Sequence, residues 1–306
     1  MRLKHKSAVE DIPVNTIWKT LLASLTVIVS FTGTQAEEVK HRFICVDNAR
    51  NRLIHIDQHK GTEWNISIPG GSRDLQVLDK DRVMVSHGNG AAEYDLNTGK
   101  SLKWKVTNHR GVNTARRLEN GNTILGTNAK EGIVFTEIDN DGKEVSKTVL
   151  KGQKNLRLVR IRKDGNFLLT ISNPFRVAEA NKAGEIIRSA KIPGKGYKAA
   201  IAENGTCLAT TGEDVQVVEI NKEGQITRTV GGRKNHEGLQ WFSGFHHLDN
   251  GNIVVANWLG HGKAGKGPHL VEFDKDNKLV WKWEDHQKAK QITNVLILDD
   301  LDGQLE

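Results

Sequence analysis

The feature that most constrains this chain is a short unit that returns along it: an apolar run, a turn built from Asp, Asn and Gly, and a second apolar run. It reads RRLENGNTILGTN from Arg116, RIRKDGNFLLTIS from Arg160, AIAENGTCLATTG from Ala200 and HHLDNGNIVVANW from His246, with a looser copy, QVLDKDRVMVSHG, from Gln76. Successive turns lie roughly 40 to 46 residues apart, a period that belongs to four-stranded propeller blades. An Asn-Gly pair between apolar runs predicts a tight hairpin whose two turn residues both take positive φ, which Asn and Gly do at low cost.

Each hairpin leads into a second one. NTILGTN is followed by GIVFTEIDNDGKEVSKTVL, and VMVSHG by AAEYDLNTGKSLKWKV. Alternating apolar and β-branched residues around Asn-Asp-Gly, Asn-Thr-Gly and Lys-Glu-Gly turns read as strands, and no stretch carries a 3.6-residue stripe. Four strands per repeat follow. Helical repeats are excluded by the Gly-rich hairpins, and a β-helix needs a shorter period. HRFICVDNARNRLIHIDQHKGTEWNISIPG, from His41, supplies the last three strands of a repeat, and QITNVLILDD, from Gln291, supplies one first strand. Pairing those ends closes the ring without leaving a sheet edge. The expectation is an all-β, six-bladed β-propeller of four-stranded antiparallel blades over residues 37–306.

AAEYDLNTGKSLKW (Ala91 to Trp104) and HLVEFDKDNKLVWKW (His269 to Trp283), with Trp64 as a partial third instance, resemble the tryptophan-bearing repeat of pyrroloquinoline-quinone-type propellers. The resemblance implies an architecture, not a cofactor: the quinoprotein dehydrogenases of that superfamily are longer eight-bladed rings, and their cofactor-clamping residues are not located here. Trp64, Trp104 and Trp281 are expected to pack between neighbouring blades.

Before the repeats, Arg2, Lys4, Lys6 and Lys19 precede the apolar run LLASLTVIVSF (Leu21 to Phe31), and TQA ends at Ala36. This pattern predicts a signal peptide over residues 1–36 and a periplasmic or extracellular destination. The run is about half the length that spans a bilayer, so no stable membrane span is expected. Cys45 and Cys207 occupy equivalent places in different repeats, which predicts two buried free thiols in separate sheets. The formal net charge is +7, which favours anionic partners. Lys and Arg are dispersed among Asp and Glu, and aromatics make up 6% without interleaving a basic stripe; nucleic acid is not an expected partner.

Aligning the first strands on their turns gives three columns. Leu75, Ala115, Val159, Ala199, Phe245 and Val295 are apolar and are expected between blades. The columns on either side, which include Asp74, Thr114, Lys198 and Asn294, and Gln76, Arg116, Arg160 and His246, lean polar and face the axis. Arg116, Arg160, Lys198 and His246 are candidate anion ligands there, with Asp74 as a rival partner. Blade 6 departs most from the others: a long leading loop (GGRKNHEGLQWFSGFHH) and a glycine-rich insertion (ANWLGHGKAGKGPHL) are expected on one face, gathering His236, Trp241, His246, Trp258, His261 and His269. His109 and Arg110 join them from the loop leading into blade 3. No HxH or HExxH spacing occurs, so no metal site is expected. The acidic turns DNDG (Asp139 to Gly142) and DKDN (Asp274 to Asn277) read as turn chemistry instead of calcium loops.

No phosphate-binding Gly-Lys-Ser/Thr loop and no GxSxG elbow occur. The expected function is an exported, non-catalytic binding or scaffold module for an anionic small molecule, a carbohydrate or a protein partner, with Arg116, Arg160, Lys198, His246, Trp258 and His261 as ligand-binding residues. The alternative is a small propeller enzyme, a lyase, hydrolase or oxidoreductase, in which His246 acts at the axial mouth with Arg116 and Arg160.

Overall fold

The computed structural model describes residues 38–202, 204–234, 236–299 and 301; the expected leader, residues 1–36, lies outside them. Among the described residues, no helix is long and apolar enough to cross a membrane.

The strands form six four-stranded antiparallel sheets. Blade 1 contains β1 (Arg42–Asp47), β2 (Arg52–Asp57) and β3 (Thr62–Ser67). Blade 2 is β4 (Leu75–Asp79), β5 (Arg82–His87), β6 (Gly90–Asp95) and β7 (Ser101–Val106), and blade 3 is β8 (Val112–Arg117), β9 (Thr123–Asn128), β10 (Gly132–Ile138) and β11 (Glu144–Lys151). Blade 4 is β12 (Val159–Ile161), β13 (Phe167–Ile171), β14 (Arg176–Ala180) and β15 (Ile186–Lys191), and blade 5 is β16 (Ala199–Ile201), β17 (Cys207–Thr210), β18 (Gln216–Ile220) and β19 (Ile226–Gly231). Blade 6 is β20 (Phe242–His247), β21 (Ile253–Asn257), β22 (Leu270–Phe273) and β23 (Leu279–Trp283). β24 (Ile292–Ile297) then completes blade 1 as its first strand, with Phe43 opposite Ile297 and Cys45 opposite Val295. The closure read from the two chain ends is the one observed.

The hairpin turns depart from expectation in one respect. At residues 118–122 only Gly121 takes positive φ, at 86°. The Gly121 amide donates to Leu118 O and the Leu118 amide to Asn122 O, so the loop is a turn followed by a left-handed glycine and not a two-residue loop with both centres inverted. Asn120 is there for its side chain: Oδ1 accepts the Asn122 amide at 3.0 Å, and Asn250 does the same for Asn252 at 2.9 Å. The residue after the glycine anchors the third strand, as Asn122 donates to Glu137, Asn166 to Glu179 and Asn252 to Glu272. In the outer turns the carboxylates of Asp139 and Asp274 each accept two backbone amides, the turn chemistry expected of them.

The core is divided among six wedges, each formed by two neighbouring blades. All six residues of the expected apolar column are buried, which fixes the strand register because a one-residue slip would turn that row toward the axis. A second device repeats at each junction: a fourth-strand side chain reaches an oxygen in the outer turn of the next blade. Trp64 donates to Leu96 O, Trp104 to Asn140 O and Thr148 to Lys182 O. Arg188 donates to Lys222 O, Arg228 to Asp274 O and Trp281 to Gln58 Oε1. The three tryptophans therefore pack between blades, as expected. Cys45 and Cys207 are free thiols in different blades; Cys45 is buried, whereas Cys207 is only half-buried, because β17 leaves its first residue at the mouth of a wedge. Burial pushes the Cys207 thiol up to about 12.

A buried ion pair reinforces the closing blade. His41 Nε2 lies 2.8 Å from Glu272 Oε2 of blade 6, and His41 Nδ1 lies 3.8 Å from Asp299, whose carboxylate also accepts the Arg42 amide. Burial opposes the imidazolium, but the hydrogen bonds and charges of Asp299 and Glu272 outweigh it and raise His41 to about 9. A pKa raised above the unfolded value gives stability that is full below about pH 6.5 and lost as the pH rises through about 9. Unfolding free energy from urea titration should therefore fall by on the order of 3 kcal/mol more between pH 6 and 9.5 in the parent protein than in a His41→Gln variant.

Candidate functional site

Within each antiparallel blade, the loops between blades and the loops joining second to third strands share one end, here called the loop face. The hairpin loops occupy the other. Along the axis, the carboxylate of Asp74, fully buried just before β4, accepts from Arg160 Nη1 at 3.1 Å, from the Thr114 hydroxyl and from the Leu75 amide. Arg116 Nη1 lies 3.8 Å from the same carboxylate and donates to Leu75 O at 3.0 Å. Asp74 thus ties the axial strands of blades 2, 3 and 4 through buried charge. Lys198, 1% exposed, donates from Nζ to Phe245 O at 2.8 Å and sits over the Phe245 ring, joining blades 5 and 6.

His246 is buried near the hairpin end of β20, where Nδ1 accepts the Ile297 amide at 2.8 Å. His261 is exposed in the blade 6 insertion on the loop face. The four expected axial residues are therefore joined to the scaffold, and His246 and His261 belong to opposite ends of blade 6.

The loop face of blades 5 and 6 carries a different arrangement. Tyr197 meets Trp241 edge-on with ring centroids 5.6 Å apart, Trp241 meets Trp258 at 6.0 Å, and Trp258 meets His261 at 5.0 Å. Trp241 and Trp258 are each half-buried, so the arc reaches the protein surface with part of its rings. Its backing is built from two buried amides. Asn257, fully buried, accepts the Gln240 amide and donates to Gly238 O and Pro268 O, stapling the leading loop to both ends of the insertion. Gln291 accepts the Leu259 amide and donates to Gly260 O. The two loops meet where Gly238 and Gly267 approach so closely that a Cβ on Gly267 would lie 3.0 Å from Gly238 Cα. Positive φ at both glycines, 78° and 115°, gives the chain the path that contact needs.

Arg73, Arg157 and Tyr197 each stand two residues before the axial strands of blades 2, 4 and 5. Among the described residues the buried Tyr197 hydroxyl has no hydrogen-bond partner. Burial, and then the positive charge of Arg73, hold Arg157 below the ordinary guanidinium range, with Tyr197 acting weakly the other way. The Thr293 hydroxyl and the Asn294 amide nitrogen, at the start of β24, are also buried without partners.

Two cavities lie elsewhere. One, of about 380 Å³, opens on the loop face between Arg50, Gly265, His286 and Lys290. The other, of about 240 Å³, lies in the wedge between blades 4 and 5 beside Arg162, Arg188 and Cys207. Near the first, His269 is fully buried; its ring packs 4.6 Å from that of His286, and burial followed by the His286 charge lowers it to about 4. Among the described residues no group of three or more His, Cys, Asp or Glu side chains is placed to hold a metal ion.

No protein-family model and no curated protein matches the chain. Among solved structures, it is similar to a protein of unknown function from Bacteroides caccae, at 25% identity and a TM-score of 0.71 over 84% of this chain and 98% of that one. A catalytically inactive virginiamycin B lyase from Staphylococcus aureus, solved with quinupristin, matches at 12% identity and a TM-score of 0.56 over 87% of this chain and 94% of that one. The WD40 propeller domain of Doa1 matches at 15% identity and a TM-score of 0.52 over 79% and 80% of the two chains. These likenesses establish the propeller fold.

Of the residues singled out from sequence, Trp258 and His261 fall together on the arc, with Trp241. Arg73, Arg157 and Tyr197 were not singled out, although a signal exists: each is one residue upstream of an aligned polar or apolar column member, Asp74, Leu158 and Lys198. Asn257 and Gln291 carry no local pattern that marks them. Removing Asp74 leaves Arg160 and Arg116 facing a buried vacancy, so Asp74→Ala should cost about 3–5 kcal/mol in chemical denaturation; a change below about 1 kcal/mol would separate the arginines from that carboxylate.

Proposed function

We propose that the chain is an exported, non-catalytic propeller that binds a small ring-shaped ligand on its loop face, along the arc from Tyr197 to His261. The observation that carries this reading is the half-buried Trp241 and Trp258 pair, which reaches the surface on a backing of buried side-chain amides. Aromatic rings that reach the surface suit the apolar faces of sugars and planar rings, and rigid backing lowers the ordering cost of binding. Export is supported by the basic and apolar segments before residue 37.

What supports a binding role over an enzymatic one is the disposition of the residues that chemistry would need. His246 is engaged with the β24 backbone and Arg116 and Arg160 with Asp74, whereas His261 lies at the other end of blade 6. The likeness to the pyrroloquinoline-quinone-type repeat rests on Trp64, Trp104 and Trp281, each of which reaches the outer turn of the next blade, and it is proposed for the blade architecture alone.

Intrinsic fluorescence of residues 37–306 titrated with a panel of sugars and organic anions should respond saturably to at least one compound. Trp258→Ala should weaken that response tenfold or more while leaving the melting temperature within about 2 °C. Chemical conversion of the bound compound would refute the non-catalytic reading, and an unresponsive parent protein would move the face from small molecules to a protein partner.

A further inference from the structure

The wedge between blades 4 and 5 is built differently from the wedges that carry a tryptophan. In β23, Trp281 lies opposite Glu272 of the third strand and reaches the next blade; in β15 the same place, opposite Glu179, belongs to Arg188. Arg188 reaches its neighbour too, donating to Lys222 O and, at 3.3 Å, to Asn221 O in the outer turn of blade 5, much as Trp64 donates to Leu96 O in that of blade 2. A guanidinium makes the hydrogen bond of an indole without filling its volume. The turn glycines record the difference: a Cβ on Gly99 would lie 2.9 Å from the Trp64 ring, whereas one on Gly224 would first meet Ala190 Cβ, at 3.5 Å. Where a ring would lie there is the cavity of about 240 Å³, with Gly224 and Arg188 in its lining. Its apolar wall is Leu168, Val177 and Ile220, all buried, with Ala190 and Cys207 packed against them. An apolar cavity of about 150 Å³ already admits benzene, so this one has room for an aromatic ring and a substituent.

The polar lining carries an excess of positive charge. Arg162, Arg188 and Lys222 stand there against the carboxylate of Glu179, which lies 3.2 Å from Arg162 Nε and accepts the Asn166 side chain at 3.0 Å. Arg188 donates to main-chain carbonyls, which leave its charge in place. We infer that this wedge binds a small aromatic carboxylate, its ring in the slot that an indole fills in the tryptophan-bearing wedges and its carboxylate against Arg188 and Arg162. A guanidinium fork matches a carboxylate in shape as well as charge. Cys207, its thiol pushed up to about 12, is neutral at physiological pH and serves as wall, not nucleophile. The outer turn of blade 5 and the hairpin at Gly205 place the cavity at the hairpin end of the ring, so this site is separate from the Trp241–Trp258 arc and does not depend on the role proposed for that arc.

Benzoate, benzamide and acetate separate the two halves of the contact, because benzamide keeps the ring without the charge and acetate the charge without the ring. Calorimetric titration of residues 37–306 should show saturable binding of benzoate or indole-3-carboxylate, with benzamide and acetate weaker by about tenfold or more. Arg188→Trp puts into blade 4 the side chain that blade 6 has at this place; it should abolish aryl carboxylate binding while leaving the melting temperature unchanged or raised. A readout in the parent protein does not depend on that variant folding: Cys45 is fully buried, so a small thiol reagent should modify Cys207 first, and saturating benzoate should slow that modification about tenfold whereas acetate should not. Benzamide binding as tightly as benzoate would overturn the charge assignment. Binding that survives in a folded Arg188→Trp variant, or that leaves the Cys207 rate unchanged, would place the ligand elsewhere, on the Trp241–Trp258 arc for example, and overturn the site. Failure of both aryl carboxylates to bind would overturn it outright and leave the loop-face reading untouched.

Discussion

The antiparallel pairing of β24 with β1 is the constraint on which the rest depends. It joins Ile297 to Phe43 across almost the whole chain and turns an array of five complete sheets and two fragments into a ring. A ring leaves no end sheet, so every blade has two neighbours and every apolar face is covered. The six wedge cores are the consequence, and the fourth-strand donors that reach each next outer turn repeat that circular order at the periphery. His41 adds charge at the seam, bridging blade 6 and the segment after β24 through Glu272 and Asp299.

Closure also decides what the loop face can be. The axial strands are brought near enough for Asp74 to bind groups from three blades, which uses Arg116 and Arg160 as structural ties. Where blades are regular, loops are short; where blade 6 departs from the repeat, Asn257 and Gln291 hold the longer loops in place and Trp258 is displayed beside Trp241. The departure from symmetry is therefore built on, and not merely appended to, the symmetric frame.

Much of this was legible in the sequence. The recurring Asx-Gly hairpin set the blade period, the incomplete ends set the closure, and the apolar column from Leu75 to Val295 set which row faces the wedges. The hairpin geometry was less so, because Asn-Gly is compatible with both an inverted two-residue turn and a longer one; the side-chain acceptor of Asn120, which decides it, depends on the position of the glycine in three dimensions. Whether an arginine on these rows is free or engaged depends on partners from other blades, such as Asp74, some 86 residues before Arg160. Arg73, Arg157 and Tyr197 escaped notice because strand alternation does not apply before a strand begins, where the chain is still turning in from a loop. The distance between His246 and His261 was hidden for a related reason: one sits near the end of a strand and the other in an insertion at that blade's opposite end.

The most direct measurement of the closed ring uses the native Cys45. Its Cα partner across the seam is Val295, and the two belong to the same buried cluster. Directly opposed residues on antiparallel strands are close enough for a disulfide. Oxidative refolding of a Val295→Cys variant, followed by peptide mapping, should yield an intramolecular bridge between Cys45 and the introduced thiol, in a monomer that leaves Cys207 free. An introduced thiol that stays reduced, pairs with Cys207 or links two molecules would contradict the shared blade and the account of the loop face built on it.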